Sequence, residues 1–218
     1  MVFSRKLTNE ETQILIKLQE FVRSAHAESN SHDYAHVLTV CRYAIQIGKS
    51  ISESVDPFIL SAGALLHDIG KTNSVFSHIH GLFGGSLAEE FLDGLKIDEN
   101  VRDAICRVVI RHTPTSMISP ETPEEKAVFD ADTLDRIGLM GLLRGFIGKE
   151  GAMDKIMNKY ITKRKLDYEK LNFKVSRDIG LEKDQMMDAF IQIIQNRLDL
   201  RMESIKDIFS KEGLINNH

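Results

Sequence analysis

Apolar residues recur at i, i+3 and i+4 along almost the whole chain, and no alternating run bounded by turn signals interrupts them, so the pattern predicts helices and no sheet. Thr8 and Glu11 have the spacing of a capping box, and the stripe Ile14, Leu15, Leu18, Phe21, Val22 predicts a first helix ending near His26. Asp33 stands as N-cap of a second helix whose inner face carries His36, Val37, Val40, Cys41, Ala44, Ile45 and Gly48. Asp56 and Pro57 open a third, apolar nearly all round through Leu66, which places it at the centre of a bundle and runs it into His67-Asp68, with Gly70 as a left-handed stop. A fourth helix is expected over Leu82 to Leu92. The fifth starts at Asp98 and presents His112 inward behind Val101, Ala104, Ile105, Val108 and Val109, until Pro114 ends it. Thr122, Pro123 and Glu125 cap a sixth, on which Asp132 and Asp135 share a face with Val128 and Ala131. Gly138, Gly141, Gly145 and Gly148 punctuate a segment readable as a closely packed helix or as a loop. A lysine-rich stretch from 155 to 170 reads as a solvated face, and an amphipathic helix from about Gln185 to Ser210 completes the chain.

At 218 residues with 42% hydrophobic and 28% charged side chains, the chain can bury a core, and disorder and fibrous repeats are excluded. The expectation is a single all-α domain over residues 1–218, with its motif-bearing core at about 28–148 and a helical extension at about 149–218. A balance of 28 Lys and Arg against 32 Asp and Glu gives a net charge of -4 and argues against nucleic acid as partner. The N-terminus has no apolar h-region, and the stretch Phe58 to Leu66 is too short to span a bilayer, so neither secretion nor a membrane is expected. Cys41 and Cys106 sit apart in helical stripes, which excludes a disulfide framework and fits the cytoplasm.

Seven of the eight histidines precede residue 113. His36, His67, Asp68, His112 and Asp132 each lie on or at the end of a strongly apolar helix, where an unpaired ion would cost several kcal/mol. Such groups are paired or metal-bound. Imidazoles mixed with carboxylates suit Mn, Fe, Co, Ni or Zn, with Mg where few imidazoles ligate. His26 and His218 read as surface residues and His32 as a turn or supporting residue. Asp135 reads as a partner for Arg136 or another cation, or as an acceptor behind the ligands.

The ordered set His36, His67-Asp68 and Asp132 resembles the H…HD…D signature of the HD-domain metal-dependent phosphohydrolases, an all-helical superfamily. His32-Asp33-Tyr34-Ala35-His36 is similar to the HDxxH opening of one bacterial branch. Asp130-Ala131-Asp132-Thr133-Leu134-Asp135-Arg136-Ile137-Gly138, with Gly141 and Arg144, is similar to its DADxLDxIGxxGxxR segment. The resemblance implies an HD helical bundle in which His36, His67, Asp68 and Asp132 ligate one divalent ion, and leaves room for a second. HD members that hold two metals use further histidines between the HD pair and the last Asp, a role for which His78 and His80 compete.

A divalent ion would activate water for attack on phosphorus, with Asp68 both ligating and orienting that water. Lys71 and His112 are the candidates for neutralising phosphate or protonating the leaving group, and His80 and Arg144 for binding substrate. Arg144 could equally serve a structural ion pair. HD-type 5′-nucleotidases carry a carboxylate where this chain has Lys71, which argues against a plain nucleoside monophosphatase. The expected substrate is a small phosphate ester or anhydride, by resemblance a nucleotide. The rival expectation is a non-catalytic regulatory module binding metal or nucleotide. The Met and Phe stripe of the last helix is core or the seam of a homodimer.

Overall fold

A computed structural model describes Phe3 and residues 5–27, 34–72, 79–113, 118–201 and 203–215. Ten α-helices account for most of them: α1 (Asn9–Ala25), α2 (Tyr34–Ser50), α3 (Pro57–Leu66), α4 (His80–Asp93), α5 (Glu99–Arg111), α6 (Pro123–Arg136), α7 (Gly138–Phe146), α8 (Met153–Ile156), α9 (Lys174–Arg201) and α10 (Ile205–Lys211). No strand occurs among the described residues. A π-helical turn at Met157–Ile161 and 3-10 turns at Thr162–Leu166 and Tyr168–Lys170 join α8 to α9. No helix of the described residues is long and apolar enough to cross a membrane.

The local signals act where the sequence puts them. Thr8 with Glu11 and Thr122 with Glu125 form complete capping boxes, while the Asp56 side chain accepts from the amides of Phe58 and Ile59, and Asp98 from that of Asn100. The Asp33 cap and the Pro114 stop lie outside the described residues. The glycine-punctuated segment is largely a helix, α7, rather than a loop.

α3 packs against α1, α2, α5 and α6. Its two sides serve two buried clusters: Leu60 and Ala64 join Val40, Ala44, Ile47, Val128 and Leu134, whereas Phe58, Ala62 and Leu66 join Leu18, Val22, Leu92 and Ile105. An all-round apolar helix has no other stable position. The segment after α6 closes over the first cluster with Ile156, Met157, Ile161, Met187 and Ile191.

Four sequence expectations need correction. Gly70 is not left-handed; α3 runs on into a 3-10 turn at Ile69–Thr72, and the glycine is required by a close crossing instead. A Cβ there would fall 2.1 Å from the His80 carbonyl oxygen and 2.8 Å from the Gly84 nitrogen. α4 starts at His80 rather than Leu82. The last helix is two, α9 and α10, broken by a new capping box at Ser204 and Asp207. His26 is buried, not on the surface.

Candidate metal centre

Six buried side chains from five parts of the fold meet beside the C-terminal end of α3: His36 of α2, His67 and Asp68 after α3, His80 at the start of α4, His112 after α5 and Asp132 of α6. They form two contiguous groups, His36, His67 and Asp132 on one side and Asp68, His80 and His112 on the other. His36 Nε2 lies 3.3 Å from His67 Nε2, 3.4 Å from Asp132 Oδ1 and 3.5 Å from Asp68 Oδ2. The other oxygen of the same carboxylate, Asp68 Oδ1, is 3.3 Å from His112 Nε2 and 3.7 Å from His80 Nε2. One carboxylate thus faces both groups.

The rings are oriented from behind. His67 Nδ1 donates to the Ala64 carbonyl at 2.8 Å and His112 Nδ1 to that of Val109 at 2.7 Å, in each case one turn back along the preceding helix. A carbonyl only accepts, so Nδ1 carries a proton and it is Nε2 of each ring that faces the centre. His112 Nε2 is buried and has no hydrogen bond. His36 Nδ1 is held at 2.7 Å by Asp135 Oδ2, which also pairs with Arg144 at 2.6 Å.

Burial pushes His67 down to about 3, so its ring is neutral near pH 7. Burial also opposes charge on His36, but hydrogen bonds to Asp132, Asp135 and Asp68 outweigh it and raise its pKa well above the usual value. Asp132, despite burial, is held low by the His36 hydrogen bond. Without an ion, the centre therefore keeps a proton on His36 as partner of its carboxylates. Carboxylates crowded with imidazoles whose Nε2 atoms converge form the donor set of a borderline divalent cation, and they fit one.

The centre opens into a cleft of about 210 Å³ lined also by Thr113 and by the cations Lys71, Arg136, Arg144, Lys149 and Arg164. Lys71 and Arg144, both expected from the sequence to meet substrate, are on its wall. His80 faces the centre, and its rival His78 lies outside the described residues. Arg136 pairs with Asp167 at 3.0 Å rather than with Asp135. Sequence reading missed Arg136, Lys149 and Arg164; the last hides in the lysine-rich stretch, whose 3-10 turn at Thr162–Leu166 turns it inward. It also missed Asp130, buried at the back of α6, which accepts from the backbone amides of Asn172 and Phe173 and so anchors the start of α9. A larger, apolar cavity of about 690 Å³ between α7 and α9 contains Phe146, Phe190 and Ile194 and none of these donors.

Residues 33–137 match the family model described as the HD domain. The tRNA (cytidine(56)-2'-O)-methyltransferase of Picrophilus torridus is 32% identical over 170 residues, 69% of this chain; the chain spans only 43% of that relative's length. The crystal structure of Bacillus subtilis YpgQ in complex with ADP superposes with a TM-score of 0.67 at 23% identity, covering 86% of this chain and 96% of that one. An HD-superfamily hydrolase from Bacillus thuringiensis superposes with a TM-score of 0.64 at 21% identity, over 87% and 98%. The matched segment carries His36, His67, Asp68 and Asp132 of the helical bundle, so residues 33–137 of the chain are an HD domain.

Proposed function

We propose that the protein is a metal-dependent phosphohydrolase acting on a small phosphate ester or anhydride, with a nucleotide as substrate. The observation that carries this reading is Asp68, whose two oxygens each face a separate set of imidazoles within a cation-lined cleft. His36, His67, Asp68 and Asp132 would hold the first divalent ion. Asp68, His80 and His112 would hold a second; with one ion bound, His80 and His112 remain within reach of substrate. When bound, such an ion activates water and polarises a phosphoryl oxygen.

The chain's own groups do the rest. Asp135 fixes the His36 ring and is itself held by Arg144, so a cation at the cleft wall is coupled to a ligand's orientation. Lys71, on the turn directly after Asp68, neutralises phosphate oxygens. His112, with its unbonded Nε2 directed at Asp68, is the group that can take up the proton given up by the attacking water and pass it to the leaving oxygen when no second ion occupies it. The nucleotide assignment is supported by the ADP bound to Bacillus subtilis YpgQ, which shares the fold.

The test is hydrolysis of a generic aryl phosphate by metal-free protein with and without added Mn, followed by a panel of nucleotides. Metal-stimulated release of phosphate supports the reading. Stoichiometric metal with no turnover of any member of the panel supports instead a regulatory module that binds metal or nucleotide without hydrolysing it.

A further inference from the structure

Five cationic side chains line the cleft, yet they are not equivalent. Arg144 is neutralised by Asp135 at 2.6 Å and Arg136 by Asp167 at 3.0 Å. Among the described residues no carboxylate stands within ion-pair distance of Arg164, Lys149 or Lys71; Lys149 rests instead 4.5 Å above the Tyr160 ring. Arg164 is the most constrained of the three. Its Nη1 donates to the carbonyls of Gly141 at 2.7 Å and Arg136 at 3.3 Å, which occupies two of the five guanidinium protons. Gly145 makes room for the rest: a Cβ on that residue would lie 3.1 Å from Arg164 Nε and 3.2 Å from Cζ. A guanidinium has thus been clamped flat against α7, beside two other arginines, with no counter-ion of its own.

We infer that Arg164, assisted by Lys149, forms an anion subsite next to the metal centre that binds a second anionic group of the substrate, adjacent to the phosphoryl group that reacts, and thereby sets specificity. This rests on the phosphohydrolase reading. Both residues lie beyond residues 33–137, the segment matched by the family model, so the subsite belongs to the extension rather than to the shared core. Burial and the neighbouring Arg136 push the Arg164 pKa down to about 10, against the pull of Asp167, in keeping with a partly desolvated cation among other cations that an anion would stabilise. A planar fork with three protons to spare suits a phosphate's oxygens.

The alternative is that Arg164 is only a clip, tying the turn between α6 and α7 through its two carbonyl acceptors. Calorimetric titration of metal-loaded protein with methylphosphonate and with methylenediphosphonate, neither of which is hydrolysed, separates the two roles, provided metal content is measured after each titration. The bisphosphonate should bind the wild-type protein about tenfold or more tightly than the monophosphonate, the gain of charge-assisted hydrogen bonds at a second group. Arg164→Met should erase that ratio while leaving the methylphosphonate affinity within about twofold, and Arg164→Lys should restore part of it. A clip would instead lower the melting temperature of Arg164→Met and leave the ratio untouched. Equal affinities in the wild type, or an unchanged ratio in the variant, overturn the subsite. The aryl phosphate assay, run alongside, reports independently whether the phosphohydrolase reading itself fails.

Discussion

Asp68 is the residue on which both donor groups depend, since His36 approaches one of its oxygens and His112 the other. Asp68→Ala should therefore reduce metal affinity by about 10² or more and abolish turnover, measured by elemental analysis and by phosphate release on one preparation. Full turnover by that variant would remove it from the mechanism. His112→Gln should separate roles differently: a fold and a first ion that persist, with turnover down by about 10² to 10⁴. A destabilised but fully active variant would make His112 a core residue satisfied by Val109. His36 yields a pH prediction. Because its pKa is raised, the ion-free protein carries a proton on that ring at pH 7, and an incoming cation must displace it. Metal affinity should rise with pH, and uptake should release about one proton per chain at pH 7, read from calorimetry in two buffers of different ionisation heat. Absence of proton release would take His36 out of the ligand set. The ligand candidates were legible because each is a polar side chain stranded on an apolar stripe. Arg164 was not: its neighbours are lysines, and only the turn at 162–166 gives it an inward direction.

At the scale of elements, Gly70 and Gly84 let the turn after α3 cross the first turn of α4 at backbone contact. Gly70→Ala should thus cost about 1–3 kcal/mol by overpacking and shift His80, the first residue of α4. Calorimetric melting together with metal stoichiometry checks it; unchanged stability would mean the crossing has slack that the 2.1 Å approach denies. Helix starts were readable wherever the cap is local, as at Thr8, Asp56, Asp98 and Thr122. The start of α9 lies eleven residues before the sequence expectation, Lys174 against Gln185, because the amides of Asn172 and Phe173 just ahead of it are met by Asp130 from α6, a partner no local pattern announces. The break before α10 had a readable signal in Ser204 and Asp207, overridden in the reading by an apolar stripe that continues in phase through Ile205 and Ile208.

For the whole molecule, the donors reach the centre from α2, α3, α4, α5 and α6, so an ion bound there ties together helices from both buried clusters. Since the unfolded chain cannot assemble these ligands, binding free energy appears as folding stability. At a free concentration about 1,000 times Kd, that amounts to about 4 kcal/mol. For a chain of 218 residues each kcal/mol moves the melting temperature by roughly 2–4 °C, which gives an expected rise of about 8–16 °C on loading. Chelator should reverse it. The same scan on Asp132→Asn tests the origin of the shift: if the ion acts through this centre, the variant's melting temperature should respond weakly or not at all to metal at the same concentration. A rise in the variant equal to that of the wild type would place the stabilising ion elsewhere on the protein, and no rise in either would mean that these six side chains are held by their own hydrogen bonds and the His36 proton without an ion.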